Sequence, residues 1–556
     1  MITKVSARTR SFFRGWLTLR LLTLLAGGVT WLAAPGLQRA RAATAPTLPT
    51  IRTIVVATAH TALTLAVGPD GRVYQIGYGR RGAALVPEKL APEDELYPAS
   101  GSGFVAEPAL AAVHGDGNLS TDLAYVEHDA RRDKDGNLTV TRIKLKDRFY
   151  PFAVTLHFEA FFAEDVVRSW AEISHGEDQP VTLERFASSA LLLPGAHAWL
   201  TQFQGDYMRE MELTEEPLGP GIKVLDSKLG VRAHQRRNPS VLLALGGPAA
   251  EESGEVVGGT LAWSGNFQLA FEIDQARRLR ALAGINPFGA AYRLAPGKSF
   301  VTPAMIWSYS AAGKGLVSRN LHRWARRYGI REGGRPRPVL LNNWEATHFD
   351  FDEAKIVSLF DGARDLGAEL FLLDDGWFGN RHPRDNDRAG LGDWQVNQKK
   401  LPQGLAFLAG EAKKRGLGFG IWFEPEMVNP ASDLYEKHPD WVISQPHRPL
   451  LLSRNQLVLD LTRPEVKAHA WQVIEGTLRP NPGISYVKWD ANRFVTQPGS
   501  SHLAPEQQQH LLIDYQWALY DVMDDMAKKF PQVMAMACAG GGGRVDYGTL
   551  RHFHAF

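Results

Sequence analysis

The stretch LFLLDDGW at residues 370–377 is a short apolar run that ends in two carboxylates. A second stretch, ISYVKWD at residues 484–490, has the same form and ends at Asp490. Apolar runs of this length, bounded by a turn or a charge, are typical of strands that are buried on both faces of a parallel sheet. Because the catalytic groups of α/β barrels stand at the carboxyl ends of such strands, the two stretches predict a barrel with an active site there.

Strand and helix patterns alternate through the C-terminal part of the chain. Strands are predicted at 339–342, 370–373, 418–423, 484–489 and 533–538. A helical face runs from Ile356 to Leu366 and closes at Gly367, and a second helix is predicted at 405–415. Strands that alternate with helices indicate parallel βαβ units, and this many in series predict a (β/α)8 TIM-type barrel rather than an open sheet.

The predicted barrel, at residues 338–556, is incomplete. Five strands are evident and a sixth begins near residues 552–556, whereas a barrel of this type closes with eight strands. Because an unclosed parallel sheet exposes an edge and an apolar face, we expect the chain to be truncated after about strand six. A helical linker is predicted before the barrel, at 309–337.

Residues 43–308 follow a different pattern, in which apolar and polar side chains alternate. The runs at 139–146 and 154–159 alternate strictly, as half-buried antiparallel strands do. Asp-Gly pairs at 70–71 and 135–136 supply the tight turns between such strands. This region is predicted to be a large β-sandwich domain.

The first 42 residues resemble a secretory signal peptide. Four arginines precede an apolar run at 21–37, and Ala-Arg-Ala at 40–42 supplies a small-x-small cleavage site. An uncleaved membrane anchor is the alternative, but glycines and a proline interrupt a run already short for a span of about 20 residues. We therefore predict Sec-type export to the periplasm or the extracellular space, with no stable membrane span after cleavage.

Composition excludes several classes of partner. The 62 basic and 60 acidic residues give a net charge of +2, which leaves no electrostatic footprint for nucleic acid or an anionic membrane surface. Cys538 is the single cysteine, so an intrachain disulfide and a cysteine-cluster metal site are both excluded. No nucleic-acid partner is expected, and stability must come from packing.

Seven motifs follow one another along the chain. They are NWEA at 343–346, DDGWFG at 374–379, GDW at 392–394, WFEPEMV at 422–428, LSRNQ at 452–456, KWDANR at 488–493 and CAGGGGR at 538–544. In their residues and in their order along the chain, these motifs resemble those of the α-galactosidases of glycoside hydrolase family 36. The β-rich part of the chain also resembles the N-terminal β-supersandwich of that family. The resemblance implies a retaining exo-hydrolase of terminal α-galactosyl groups that needs no cofactor and no metal and forms a covalent glycosyl-enzyme.

The resemblance also implies the roles of individual residues, beginning with Asp490 as the nucleophile. Lys488 lies two residues earlier, hence on the same side of the strand, where its charge is expected to keep the Asp490 carboxylate ionised. Asp374 and Asp375 are implied to accept hydrogen bonds from sugar hydroxyls. The other implied substrate contacts are Trp344, Trp422, Arg454, Asn492, Cys538 and Gly541.

No residue of the chain is assigned as the general acid/base. The resemblance places that group in a Trp-x-Ser-Asp motif after the sixth strand, and Asp546 is not chosen because it resembles a structural position behind the glycine loop. Three alternatives remain: an α-N-acetylgalactosaminidase, a galactosyl transferase of the same superfamily, or an inactive galactoside-binding fragment. Retention of Asp490 and Lys488 counts against the inactive fragment. Homo-oligomers are possible in such a family.

Overall fold

The structure is a computed structural model that describes residues 52–83 and 90–556. The predicted signal peptide at 1–42 lies outside the described residues, so the export that it implies stays a prediction. Within the described ranges, none of the helices combines the length and the apolar character needed to cross a membrane.

The N-terminal region consists of antiparallel strands, as its alternating pattern predicts. They are β1 Arg52–Ala57, β2 Thr61–Val67, β3 Val73–Arg80, β4 Leu110–Val113, β5 Leu123–Arg132, β6 Leu138–Asp147, β7 Phe152–Phe161, β8 Val166–His175, β9 Val181–Pro194, β10 Trp199–Gln204, β11 Glu212–Pro217, β12 Gly221–Asp226, β13 Arg237–Leu245, β14 Glu255–Leu261, β15 Phe267–Ile273, β16 Arg278–Ile285, β17 Tyr292–Leu294, β18 Ser299–Val301 and β19 Met305–Ser310. A short 3₁₀ helix, Pro92–Asp94, precedes β4.

These strands form two large sheets and one small sheet. The order of the first is β11-β10-β13-β14-β19-β8-β7-β6-β5 with β18 beside β8, and that of the second is β12-β15-β16-β9-β17 with β4 beside β9, while β1, β2 and β3 form the small sheet. In β6, Ile143 is buried whereas Lys144 is exposed, because successive side chains point to opposite faces. The inner faces of the two large sheets share one apolar core, and Trp307 of β19 donates to Ser189 Oγ of β9 across 2.9 Å.

A helix then connects the β-region to the parallel strands. Helix α1, Gly313–Trp324, continues into one π-helical turn, Ala325–Gly329, within the predicted helical linker. Val317 of α1 is fully buried against Val256 of β14, so the helix packs on the outside of the first large sheet.

The remaining residues alternate between strands and helices. The elements are β20 Leu340–Asn342, α2 Trp344–Thr347, α3 Glu353–Asp365, β21 Leu370–Leu373, α4 Gly404–Lys414, β22 Gly418–Phe423, β23 Met427–Val428, α5 Asp433–Lys437, β24 Leu457–Val458, α6 Pro464–Leu478, β25 Ile484–Trp489, α7 Leu511–Lys529, β26 Met534–Ala537 and α8 Tyr547–Leu550, with 3₁₀ helices at Pro439–Trp441 and Pro505–His510. Three of the five predicted parallel strands, β21, β22 and β25, begin and end at the predicted residues. Helices α6 and α7 were not predicted.

Five parallel strands, in the order β20-β21-β22-β25-β26, form a curled half-barrel. The side chain of Asp352 caps the start of α3 by accepting a hydrogen bond from Lys355 N, and Phe360 of α3 packs edge-on against Phe371 of β21 with ring centroids 4.7 Å apart. Beyond β26, Ala537 N donates to Ala555 O across 2.9 Å, where the sixth strand is predicted to begin. The incomplete TIM-type barrel behind a β-rich N-terminal region is thus confirmed.

Candidate active site

Alternate residues of the parallel strands face the inside of the half-barrel. Leu372 of β21 and Tyr486 of β25 belong to one buried apolar cluster there. Because side chains alternate along a strand, the residues two positions further on, Asp374 and Lys488, face the same side at the carboxyl ends. Lys488 Nζ indeed lies 2.8 Å from Asp374 Oδ2, and Asp490 follows two residues later.

Asp490 is almost fully buried and accepts four hydrogen bonds. Its Oδ1 accepts from Gly540 N and from Ala491 N, both at 2.9 Å. Its Oδ2 accepts from Asn492 Nδ2 at 2.7 Å and from Trp422 Nε1 at 3.1 Å. The carboxylate is therefore held by the ends of three neighbouring strands, β22, β25 and β26.

Burial alone would raise the pKa of Asp490, but the opposing effects are larger. The positive charge of Lys488 and the hydrogen bonds from Gly540, Asn492 and Trp422 together hold the pKa of this carboxyl well below its usual range. Asp490 is thus ionised at neutral pH, which is the state that a nucleophilic carboxylate requires.

Lys488 was predicted to act on Asp490, but its direct partner is Asp374. Asp374 Oδ2 also accepts from Asn342 Nδ2 at 2.5 Å. Burial lowers the pKa of Lys488, yet the charges of Asp374 and Asp490 outweigh this effect and raise it well above its usual value. Lys488 is therefore a permanent cation that acts on two carboxylates, pairing with one and keeping the other ionised.

Asp375 is held by Arg384, which sequence reasoning missed. Arg384 Nε and Nη2 donate to the two carboxylate oxygens of Asp375 at 2.9 and 2.8 Å, and the guanidinium is fully buried. Arg384 Nη1 also donates to Asn429 Oδ1 at 3.0 Å. Arg384 lies in a polar loop without periodicity, so nothing in the local sequence distinguishes it from an exposed arginine. Asp374 and Asp375, the predicted sugar contacts, are both fixed in place by cations.

Glu424 was also missed, although it stands at a strand end beside Asp490. It is fully buried; its Oε1 accepts from Asn492 N and its Oε2 accepts from Gln456 Nε2 at 3.2 Å. Burial, followed by the negative charge of Asp490, raises the pKa of Glu424 to about 8. Its signal was available, because it is a carboxylate directly after a buried apolar strand, as Asp374 is.

The predicted aromatic and arginine contacts occupy different environments. Trp422 is buried and donates to Asp490, so it positions the carboxylate in addition to any role as a pocket wall. Trp344 is half-buried at the start of α2, two residues after β20, and stands edge-on to Phe349 with ring centroids 5.0 Å apart. Arg454 is exposed and has a left-handed backbone with φ 51°. The sugar-binding roles of these three residues stay predictions.

Cys538 and Gly541 lie in the loop after β26. Burial, and then the charge of Asp490, raises the pKa of the Cys538 thiol to about 12, so it remains protonated. Gly541 has φ 85°, and a Cβ added there would lie 2.4 Å from Oε1 of Glu210. Because Glu210 belongs to the loop between β10 and β11, the β-rich region reaches this glycine loop, a contact that was not predicted.

A second group of buried polar side chains surrounds Glu426, two residues after Glu424. Glu426 Oε1 accepts from both terminal nitrogens of Arg544 at 2.9 Å and from Trp489 Nε1 at 3.0 Å. Its Oε2 accepts from Tyr515 OH at 2.6 Å. Both Glu426 and Arg544 are buried, so this is an internal ion pair whose charges are fully hydrogen-bonded.

Asp546, which was considered and not chosen as an acid, has a structural place. Its Oδ1 accepts from Gly548 N at 2.7 Å and from Thr549 N at 3.2 Å, which caps the start of α8. Its Oδ2 accepts from Ser264 Oγ at 2.7 Å. These contacts explain the carboxyl group without a role in chemistry.

One group of described side chains has the composition of a metal site. Atoms of His382, Asp433 and Glu436 lie within 4.8 Å of one another. However, Arg381 Nη1 donates to Asp433 Oδ1 at 2.9 Å and to Glu436 Oε2 at 2.6 Å. The carboxylates already face a cation, and we assign no metal to them.

The half-barrel carries buried carboxylates at the carboxyl ends of its strands, and comparisons with known proteins identify the family. The glycosyl hydrolase family 36 N-terminal domain matches residues 79–295, and the melibiase family matches residues 299–556. The α-galactosidase AgaA of Geobacillus stearothermophilus is 40% identical over 471 residues, 82% of this chain and 64% of that protein. α-Galactosidase 2 of Hypocrea jecorina is 35% identical over 479 residues, 82% of this chain and 63% of that protein.

Solved structures agree with the sequence comparisons. The crystal structure of AgaA superposes with a TM-score of 0.86 at 36% identity, covering 90% of this chain and 74% of that one. A form of AgaA in complex with raffinose gives the same TM-score at 35% identity. The chain therefore belongs to glycoside hydrolase family 36. It spans a little under two thirds of the length of the curated relatives that it matches.

Proposed function

We propose that this chain acts as a retaining exo-α-galactosidase on terminal α-D-galactosyl residues of galacto-oligosaccharides or galactomannan side chains. The observation that carries the proposal is Asp490, a buried carboxylate kept ionised by Lys488 and by four hydrogen bonds. Several relatives in the same family are α-galactosidases, which supports the same substrate class.

In the proposed reaction, a carboxylate oxygen of Asp490 attacks the anomeric carbon. The bond from that carbon to the glycosidic oxygen breaks, a galactosyl ester forms, and water then cleaves the ester with net retention. The departing oxygen normally receives a proton from a second carboxyl group about 5–5.5 Å from the nucleophile. No residue of the described chain is assigned this role, so the first step is best tested with a leaving group that departs without a proton.

Asp374 and Asp375 supply the proposed selectivity for galactose. Their carboxylates are fixed by Lys488 and Arg384, so their free lone pairs point in set directions and can accept hydrogen bonds from sugar hydroxyls. Binding of raffinose by AgaA supports an α-galactoside of an oligosaccharide as the ligand. Galactose rather than glucose is the expected specificity.

The test is turnover of an aryl α-galactoside with an acidic phenol, compared with raffinose. We expect the aryl substrate to be cleaved faster than raffinose by on the order of 10²–10⁴, because only raffinose needs a proton on its leaving oxygen. A fluorinated α-galactosyl fluoride should label the peptide that contains Asp490, and Asp490→Asn, which keeps the shape, should abolish the label. Equal rates on both substrates, or labelling of another residue, would overturn the proposal.

We further propose that residues 1–42 direct export of the protein. Cleavage should leave a mature chain that begins near Ala43, which N-terminal sequencing of the secreted protein measures. Full-length protein retained in the cytoplasm would contradict it. Assembly into a homo-oligomer is a separate proposal, and sedimentation of the purified protein decides it.

A further inference from the structure

Arg232, from the segment between β12 and β13, reaches the end of the half-barrel. Only 8% of the residue is exposed. Its Nε donates to Ala539 O and its Nη1 donates to Asn492 O, each at 3.0 Å. Its Nη2 donates to Gln235 Oε1 at 2.8 Å. One side chain of the β-rich region thus joins the loops that follow β25 and β26.

Those two loops are the ones that hold Asp490. The peptide whose carbonyl accepts from Arg232 Nε is the Ala539–Gly540 peptide, and its N–H donates to Asp490 Oδ1 at 2.9 Å. A trans peptide is planar, and its C=O and N–H point in opposite directions. Arg232 and Asp490 therefore hydrogen-bond to opposite sides of the same rigid peptide group. A donor at the carbonyl also polarises the peptide, which strengthens the N–H as a donor.

The second loop is held in the same way. Asn492 donates through Nδ2 to Asp490 Oδ2 at 2.7 Å, while its backbone N–H donates to Glu424 and its carbonyl accepts from Arg232. The backbone of Asn492 is therefore fixed on both sides, which sets the direction of the side chain that contacts Asp490.

Burying Arg232 in this position is costly, which argues against an incidental contact. The backbone of Arg232 has φ 56°, a left-handed conformation that is unfavourable for a residue with a Cβ. Its guanidinium is buried against the Phe494 ring, 4.9 Å from the centroid. A Cβ on Gly540 would lie 2.4 Å from Arg232 Nη2, so only glycine there leaves room for the guanidinium. Strain of this kind persists only where the surroundings over-determine it.

We propose that Arg232 is a positioning residue for Asp490, and that it fixes the two backbone loops whose donors aim the nucleophile. The inference rests on the proposed function, because it takes Asp490 as the group that attacks the sugar. Other charged or titratable groups also act on Asp490. They are Lys488, Glu424, Cys538 and Arg544.

The first test compares Arg232→Met with Arg236→Met. Arg236 is a matched control, since it is exposed and lies 6.0 Å from the centroid of the same Phe494 ring. With the aryl α-galactoside, Arg232→Met should lower kcat by about 100-fold and leave KM within about twofold, because misplacing the nucleophile affects attack rather than binding. Its acid limb of kcat/KM should move to higher pH, because the lost guanidinium charge no longer favours the ionised form of Asp490. Arg236→Met should match the parent protein.

The conservative variant separates positioning from charge. Arg232→Lys keeps a cation but cannot donate to both carbonyls, so we expect a parental acid limb together with a lowered kcat. A purely structural role would lower the amount of folded protein and change neither the acid limb nor the balance of kcat and KM. Parental kcat and acid limb in Arg232→Met would overturn the proposal.

A second measurement does not depend on turnover. Cys538 is the only cysteine and directly precedes Ala539, so its rate of alkylation reports on the loop that Arg232 holds. Arg232→Met should react about 10-fold faster or more under native conditions, and Arg236→Met should not. If the parent protein cleaves no galactoside, the proposed function fails, and alkylation alone decides whether Arg232 holds the loop. Equal alkylation of both variants would refute the inference.

Discussion

Glu424 and Glu426 are two residues apart and equally buried, yet their surroundings differ. Glu426 meets the guanidinium of Arg544 and two further donors, so its charge is fully compensated inside the protein. Among the described residues, Glu424 accepts hydrogen bonds from the backbone N–H of Asn492 and the amide of Gln456, and the negative charge of Asp490 outweighs the charge of either Arg454 or Arg384.

The difference shows that the surroundings of a buried carboxylate decide whether it stabilises the fold or belongs to a reactive site. A buried ion pair with all its hydrogen bonds formed is tolerated because the attraction between the two charges and their hydrogen bonds offset the free energy of desolvation. A buried carboxyl beside another carboxylate favours the protonated form instead. The Glu426 group therefore supports the fold beneath the site, while the Glu424 group belongs to the site, where natural proteins accept imperfect compensation.

Breaking the Glu426 group should produce the largest effect. Arg544→Met leaves an uncompensated buried carboxylate, so we expect the free energy of unfolding to fall by about 3–5 kcal/mol. Urea unfolding of the variant measures this loss. Lys528→Met, which breaks the exposed pair with Asp524, is the control and should leave the midpoint unchanged. A midpoint for Arg544→Met equal to that of the control would remove the distinction between the two groups.

Breaking the Asp490 group should lower the rate per folded molecule. Lys488→Met removes the cation nearest Asp374 and Asp490, and we expect kcat/KM to fall by on the order of 10²–10³. The sign of the pH effect follows from the lowered pKa of Asp490: without Lys488 that pKa rises, so the acid limb moves to higher pH. An unchanged pH profile would show that Lys488 does not keep Asp490 ionised.

A milder change sharpens the account of Glu426. Tyr515→Phe removes the O–H that donates to Glu426 Oε2 at 2.6 Å, and it should cost about 1.5–3 kcal/mol of unfolding free energy because the acceptor is charged. Activity per folded molecule should be unaffected. Tyr207→Phe, at an exposed position, is the control. If Tyr515→Phe is fully folded but less active than the parent protein, Glu426 belongs to the active site.

The smallest expected effect concerns the pH dependence of stability. The pKa of Glu424 is raised to about 8, so its favourable contribution is complete below the unfolded value near 4.5 and is lost as the pH rises toward 8. In Glu424→Gln the free energy of unfolding should vary less over that pH range. At pH 8 it should exceed that of the parent protein by on the order of 1–2 kcal/mol. Urea titrations between pH 4.5 and 8 test this, with exposed Glu252→Gln as the control. An unchanged slope would mean that Glu424 is ionised in the folded protein.

Sequence reasoning succeeded where a property was local. The apolar runs before Asp374 and Asp490 predicted strand ends, since a side chain that follows a buried strand must stand at its edge. It failed for α6, which lies between the third and fourth parallel strands, and for α7, which lies between the fourth and fifth. It also failed for Glu424, although the same local rule applies to a carboxylate that directly follows β22.

Periodicity, turn residues and the order of the seven motifs determined the two-part architecture, the family and the choice of Asp490, because each depends on residues close together in the chain. Only the tertiary structure showed that Lys488 pairs with Asp374, that Arg384 holds Asp375 and that Arg232 joins the loops around Asp490. Arg232 is 260 residues from Asn492 in sequence. An isolated polar side chain carries no periodic signal, so its partner is decided only when folding brings distant segments together.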